Sequence, residues 1–174
     1  DSAVMKTYGR AEIAFVKGEG CWLISEAGDR YLDCASGIAV NTLGHSHPAL
    51  VEALRDQAGK LWHTSNLYRI PGQERVAKIL AALSGLDQVF FCNSGVEATE
   101  AAVKIARRAS HERGELNRMT VLCASGAFHG RTLGMLAATD KRAFRTGFGP
   151  MPDGFEHVAF GNLNALRDAL GPHV

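Results

Sequence analysis

The residues best suited to chemistry follow a short apolar run. That run spans residues 88–92, and Asn93-Ser94-Gly95 follows it directly before an amphipathic segment that begins at Val96. A strand that leads straight into a helix leaves the first backbone N–H groups of the helix free, at the positive end of its dipole. Gly95 would let a ligand approach the backbone closely, and Ser94 could cap the helix. The turn is therefore a candidate anion site, and an ordinary well-capped turn is the alternative interpretation.

A second stretch places an aromatic ring, an imidazole and a guanidinium within four residues. It covers residues 125–132 and follows the next apolar run, so it is expected at the carboxyl end of a strand, where open α/β sheets bind ligands. Aromatic rings stack on flat heterocycles, and arginine pairs bidentately with carboxylates. Taken singly, Phe128 is more often a core residue and Arg131 a solvated charge. Their place beside the first turn favours a shared pocket.

The elements that must position these residues change character along the chain. Residues 11–35 alternate apolar and polar side chains around turn residues, which predicts short antiparallel strands joined by hairpins. Helical periodicity follows from Pro48 and again from Pro71. The second half predicts strands at 88–92, 119–124 and 156–160, alternating with helices at 96–109, 132–138 and 162–170. This order predicts an α/β fold, with an N-terminal antiparallel strand segment followed by a mostly parallel sheet and flanking helices.

Composition excludes several classes of protein. The chain has 174 residues, 46% of them apolar, and a formal net charge of +1, which argues against disorder and against a basic nucleic-acid binder. No apolar run approaches the roughly 18 residues that span a bilayer. A soluble cytoplasmic protein without nucleic-acid or membrane partners is expected.

The cysteines and histidines predict no metal site. The four cysteines are widely spaced without a Cys-x-x-Cys pair, which favours buried, reduced thiols over zinc or disulfides. His45 and His47 have no third ligand at a suitable spacing.

The two chemistry-bearing stretches together resemble a known family. Asn-Ser-Gly-x-Glu-Ala-x-Glu-Ala-Ala-x-Lys-x-Ala-Arg at 93–107, followed by Ala-Phe-His-Gly-Arg-Thr at 127–132, resembles the class III pyridoxal-phosphate aminotransferases of fold type I. The blocks at 37–48 and 61–68 resemble the branch that acts on N-acetylornithine. Several ordered blocks at the family's spacing make a chance similarity improbable.

The resemblance implies pyridoxal phosphate as cofactor and assigns residues to it. Gly95 and Val96 would supply backbone N–H groups to the phosphate with Ser94 alongside, and Phe128 would stack on the pyridine ring. The family commonly has a hydroxyl or a small residue where this chain has Val96. Weaker phosphate binding is therefore expected at that position.

The resemblance also implies substrates and an assembly. Arg131 would hold the substrate α-carboxylate, while Val40 and Tyr68 would line the substrate pocket, partly from the neighbouring subunit of a homodimer. The implied reaction moves the terminal amino group of N-acetylornithine to 2-oxoglutarate, a step of arginine biosynthesis. The alternatives are related transferases for ornithine, succinylornithine or 4-aminobutyrate, and a non-catalytic fragment that binds only phosphate ligands or a partner chain.

Pyridoxal-phosphate chemistry needs a lysine that bonds to the cofactor and transfers a proton. No lysine of this chain lies in the sequence context that the reactive lysine has in the family. Of the six lysines, only Lys104 lies on the helix predicted after the phosphate turn. It is roughly 12 Å along the helix axis from that turn, at 1.5 Å per residue, which is too far from the site. No catalytic residue is therefore assigned. The chain is interpreted as the N-terminal part of an aminotransferase, inactive by itself. Residues 1–47 would form the strand segment and substrate-pocket loop, and 48–174 the first part of the large cofactor-binding domain.

Overall fold

The chain forms two compact units in the computed structural model, which describes residues 3–174. The first unit ends at Arg75 and the second runs from Val76 to Val174. The strands are β1 (Phe15–Glu19), β2 (Trp22–Ser25), β3 (Arg30–Leu32), β4 (Val121–Ala124) and β5 (Phe155–Val158). The helical segments are α1 (Ser36–Ala39), α2 (Pro48–Ala58), α3 (Pro71–Ser84), α4 (Gly95–Glu112), α5 (Leu133–Ala138), α6 (Arg142–Arg145) and α7 (Leu163–Ala169).

The first unit contains the predicted antiparallel hairpins. Its strands lie in the order β1-β2-β3, with Glu19 opposite Trp22 and Leu23 opposite Tyr31. The β1–β2 connection is tight and passes through Gly20, whose φ of +56° lies in the left-handed region that favours glycine. Proline opens α2 and α3, as predicted, because its missing N–H is not needed in the first helical turn.

The second unit is an α/β layer built on a parallel strand pair. β4 pairs with β5, with Val121 opposite Phe155, and α5 and α6 lie in the connection between the two strands. Buried Met135 of α5 packs against β4 and the inner face of α4. The core cluster consists of Cys123, Met135 and Ala138, with the half-buried Val96, Val103, Val121 and Phe155 packed around it.

Two sequence expectations are corrected by the structure. Residues 88–92 form no strand, because the segment finds no ladder partner within residues 3–174, and Phe90 is 68% exposed. Three cysteines, Cys21, Cys34 and Cys92, are exposed and only Cys123 is buried, since the first three lie outside the packed layer of the second unit. Among the described helices, none combines the length and apolarity that crossing a membrane requires.

A single arginine side chain joins α4 to the strand pair. Arg107 donates from Nε to the Met119 carbonyl at 2.9 Å and from an Nη to the Gly154 carbonyl at 3.1 Å. Its guanidinium also lies 5.2 Å from the centroid of the Phe155 ring. Both carbonyls precede a strand, so one planar fork sets the height of β4 and β5 against the helix.

We expect Arg107→Lys to lower the free energy of unfolding by about 1–3 kcal/mol, because lysine carries its donors on one nitrogen and lacks the planar fork that spans the two carbonyls. The neighbouring Arg108 offers a matched control, since its guanidinium pairs with the exposed Glu112 of the same helix at 2.6 Å. Arg108→Lys should change stability by less than about 0.5 kcal/mol. Urea unfolding of both variants measures the difference. Equal losses would show that Arg107 does not join the helix to the strands.

Candidate active site

The turn before α4 is capped by its own side chains. Ser94 is the extended N-cap residue, and its Oγ accepts the Glu97 N–H at 3.3 Å. The Glu97 carboxylate accepts the Asn93 N–H at 2.7 Å and the Ser94 hydroxyl at 3.1 Å. Hydrogen bonds from the Asn93 side chain and backbone, and from Ser94, lower the pKa of Glu97 below the ordinary carboxyl value. Glu97 is therefore a charged cap at neutral pH.

Two backbone donors remain at this helix start. The Gly95 and Val96 N–H groups have no acceptor among residues 3–174, and a Cβ built on Gly95 would meet no atom within 4 Å. The Ser94 hydroxyl hydrogen is already engaged by Glu97. An incoming anion would therefore be held first by the two backbone N–H groups at the positive end of an 18-residue helix.

The second stretch forms an aromatic and cationic cluster. The Phe128 and Phe144 rings meet edge to face, with centroids 6.3 Å apart. The Arg131 guanidinium carbon lies 5.8 Å from the Phe128 centroid and 5.3 Å from that of Phe144, and Lys141 Nζ lies 5.5 Å from the latter. Phe128 is 55% exposed. The exposed Phe128 ring beside the Arg131 guanidinium, with Lys141 near the neighbouring Phe144 ring, can receive a flat anionic molecule.

One face of α4 brings the two stretches together. The Thr99 hydroxyl donates to the His129 carbonyl at 2.7 Å, and Glu100 accepts the Thr132 hydroxyl at 2.5 Å. Val96 lies directly against Gly130, where an added Cβ would stand 2.3 Å from the Val96 Cγ2. These α4 positions are three and four residues apart, so they share one face of the helix. The predicted proximity of the two stretches is thus present in the structure.

In the first unit, the predicted pocket stretch begins in a left-handed turn. Residues Ser36–Ala39 have φ between +48° and +63°, which costs roughly 1–2 kcal/mol for each non-glycine residue. Asp33 holds the start of the turn, because its Oδ1 accepts the Ala35 and Ser36 N–H groups at 3.0 and 2.8 Å. Its Oδ2 lies 2.6 Å from His45 Nε2, and the Asp33 side chain is only 8% exposed.

Two of the predicted substrate residues belong to this first unit. Val40 directly follows the left-handed turn and is 76% exposed, and Tyr68 follows a second left-handed residue, Ser65, and is 69% exposed. Both side chains are therefore available for contact. Their role as substrate residues stays a prediction.

Several structurally important residues escaped the sequence analysis. Asp33 and His45 pair across twelve positions, and Thr99 reaches across thirty, so no local period marks them. Thr139 is fully buried and bonds the backbone of the second stretch.

The Cys123 thiol is no candidate nucleophile, because burial raises its pKa. No group of three metal-ligating side chains occurs in residues 3–174.

Sequence comparisons place this architecture among enzymes. The family model described as class III aminotransferase matches residues 4–169. The acetylornithine aminotransferase of Agrobacterium fabrum is 51% identical over 164 residues, which cover 94% of this chain and 41% of that protein. That of Mesorhizobium japonicum is 52% identical over 173 residues, or 99% of this chain and 43% of the relative. The chain thus spans about two fifths of the length of these relatives.

Solved structures have the same fold. An ornithine aminotransferase from Toxoplasma gondii superposes with a TM-score of 0.91 at 28% identity, over 96% of this chain and 40% of that one. The N-acetylornithine aminotransferase from Stenotrophomonas maltophilia K279a gives 0.76 at 32% identity, over 94% and 39%. These likenesses confirm the predicted α/β fold of the fold type I transferases.

We expect Gly130→Ala to be more destabilising than Gly126→Ala. Both glycines have positive φ, so each alanine incurs backbone strain of about 1–2 kcal/mol. Only at Gly130 does the new Cβ also collide with Val96, which adds about 1–3 kcal/mol, while Gly126 faces open space. Val96→Ala in the Gly130→Ala background should recover part of the loss in a double-mutant cycle of unfolding free energies. Equal losses at both glycines, or no recovery, would contradict this contact.

A pH dependence follows from the Asp33–His45 pair. The His45 hydrogen bond is the main cause that lowers the pKa of Asp33 below the ordinary carboxyl value. A lowered folded-state pKa adds stability that is present above the unfolded value of about 3.9 and is lost as the pH falls through the folded value. Asp33→Asn should therefore lower the melting temperature at pH 7, and the deficit should shrink below about pH 4.

Asp56→Asn is the control for that measurement, because Asp56 forms an exposed pair with Lys60. Its melting temperature should stay close to that of the wild type throughout. A deficit for Asp33→Asn that is unchanged at low pH would mean that its carboxylate charge does not hold the turn.

Proposed function

The chain belongs to the class III aminotransferases, and from that premise we propose that the complete polypeptide transfers the terminal amino group of N-acetylornithine to 2-oxoglutarate. This choice of donor is supported by the name of the relatives with 51% and 52% identity, which are acetylornithine aminotransferases. The structural observation that carries the proposal is the shared face of α4. It holds two free backbone donors and the aromatic and cationic cluster against each other.

The cofactor of this family is pyridoxal phosphate, and the residues present fit it. The unpaired Gly95 and Val96 N–H groups suit a phosphate, and the open space at Gly95 admits one. The exposed Phe128 ring offers a flat apolar surface to a pyridine ring. When bound, the cofactor supplies an electron sink for the carbon at which the amino group is exchanged. Val96 contributes only its backbone donor, because its side chain packs against Gly130.

Arg131 is proposed to hold the substrate α-carboxylate. The donor and the acceptor each carry an α-carboxylate, a group that a guanidinium binds through two parallel hydrogen bonds. The Phe128 and Phe144 rings beside Arg131 restrict where its fork can point. A cation with restricted directions orients the substrate as well as attracting it.

The remaining parts of the proposal concern the assembly and the rest of the polypeptide. Val40 and Tyr68 would line the substrate pocket, partly across the interface of a cytoplasmic homodimer. The reactive lysine would come from outside the 174 residues, since none of their six lysines has the required context. The proposed division of the chain lies after residue 47, between the strand segment with the pocket loop and the first part of the cofactor-binding domain.

The test is an assay of the complete polypeptide with pyridoxal phosphate and 2-oxoglutarate. N-acetylornithine should give the highest kcat/KM among four donors, the others being ornithine, succinylornithine and 4-aminobutyrate. Arg131→Lys should raise the KM for both donor and acceptor roughly tenfold or more, because the bidentate fork is lost. Arg167→Lys, on exposed α7, should leave both values unchanged. Preference for another donor, or no transfer at all, would overturn the proposal.

A further inference from the structure

The segment that carries Phe128 and Arg131 lies outside the regular elements. β4 ends at Ala124 and α5 begins at Leu133, so no strand ladder or helix bond fixes residues 128–131. The two functional side chains point outward and are exposed, whereas the Gly130 backbone between them is buried. Something other than secondary structure must therefore hold this stretch of backbone.

Thr139 holds the segment from the side of α5. This threonine is the C-cap residue of α5 and is fully buried. Its Oγ1 accepts the His129 N–H at 3.0 Å and lies 3.5 Å from the Gly130 carbonyl oxygen, to which it donates. One hydroxyl thus bonds both a backbone donor and a backbone acceptor of the segment.

Thr99 holds the same segment from the side of α4. Its hydroxyl lies 2.7 Å from the His129 carbonyl oxygen. It is also within reach of the Val96 and Gly95 carbonyls inside its own helix, at 2.9 and 3.2 Å. A hydroxyl has a single hydrogen to donate, and the shortest of the three distances leads out of the helix to His129.

These bonds act on the peptide planes next to the two functional residues. The His129 N–H belongs to the plane that links Phe128 to His129, and the Gly130 carbonyl belongs to the plane that links Gly130 to Arg131. Because peptide units are planar, fixing one polar group of each plane also fixes the neighbouring Cα atom. Thr139 therefore sets the origin of the Phe128 side chain and that of Arg131 together.

We propose that Thr139 and Thr99 are positioning residues that clamp the backbone around His129 and so place the cofactor-facing ring and the carboxylate-binding guanidinium relative to each other. The inference rests on the proposed function, because it takes Phe128 and Arg131 as the contacts to cofactor and substrate. Neither threonine needs to touch either molecule. The clamp adds to the reaction only through the two residues that it holds.

The test uses the complete polypeptide and compares Thr139→Val with Thr139→Ser. Valine keeps the shape but removes the hydroxyl, whereas serine keeps the hydroxyl. Thr139→Val should raise the KM of the donor and that of 2-oxoglutarate roughly tenfold, since misplacing a binding group is costly. It should also weaken pyridoxal phosphate binding in equilibrium dialysis, and serine should restore both values to within about twofold. Thr99→Val and Thr99→Ser repeat the test should Thr139→Val fail to fold.

Leu136→Ala is the control that distinguishes the clamp from a purely structural role. Leu136 is buried in the same helix, and its apolar side chain makes no hydrogen bond to the clamped segment. The alanine therefore destabilises the helix packing and leaves the clamp in place. Unstable protein lowers the active fraction and thus the apparent kcat, while KM stays unchanged. Leu136→Ala should follow that pattern. Unchanged KM and cofactor affinity in the valine variants, or an equal KM increase in Leu136→Ala, would overturn the clamp. An inactive wild type would instead overturn the proposed function, and cofactor affinity would then decide the clamp alone.

Discussion

The candidate site depends on the close approach of α4 to the backbone that follows β4. Gly130 has no side chain, so Val96 can lie against it, and this contact lets the hydroxyl and carboxylate one turn further along α4 reach His129 and Thr132. Steric fit and hydrogen bonding therefore support each other at one place. Without that approach, a helix start with two free N–H groups and a ring beside a guanidinium would be unrelated features.

The start of α4 is stabilised by a charged side chain that leaves two backbone donors unused. Glu97 carries a negative charge where the helix dipole is positive, which stabilises the turn, yet it takes its hydrogen bonds from Asn93 and Ser94. The Gly95 and Val96 donors are left to an external anion. The same helix end is thus capped firmly enough to keep its shape and remains incompletely satisfied where a ligand would bind.

The sequence predicted those parts of the fold that depend on local patterns. Proline at the first helical position and apolar residues at helical spacing identified α2 and α3, and Asn93-Ser94-Gly95 after an apolar run identified the start of α4. It failed where a structure depends on a distant partner. A strand at 88–92 needs a neighbour to bond, and Arg107 and Arg108 look alike until the Met119 carbonyl is seen beside one of them. The site residues remain predictions, but their two stretches were paired correctly.

Since Val96, Thr99 and Glu100 lie on one face of a single helix, the candidate anion site and the aromatic segment are both attached to α4. A small slide or rotation of α4 would shift all three contacts in the same direction. Thermal motion of the two halves of the site should therefore be correlated, with their separation fluctuating less than the position of either. A ligand that contacts both halves would find the distance between them nearly constant even while both move. Less entropy is then lost on binding than with two independently mobile loops.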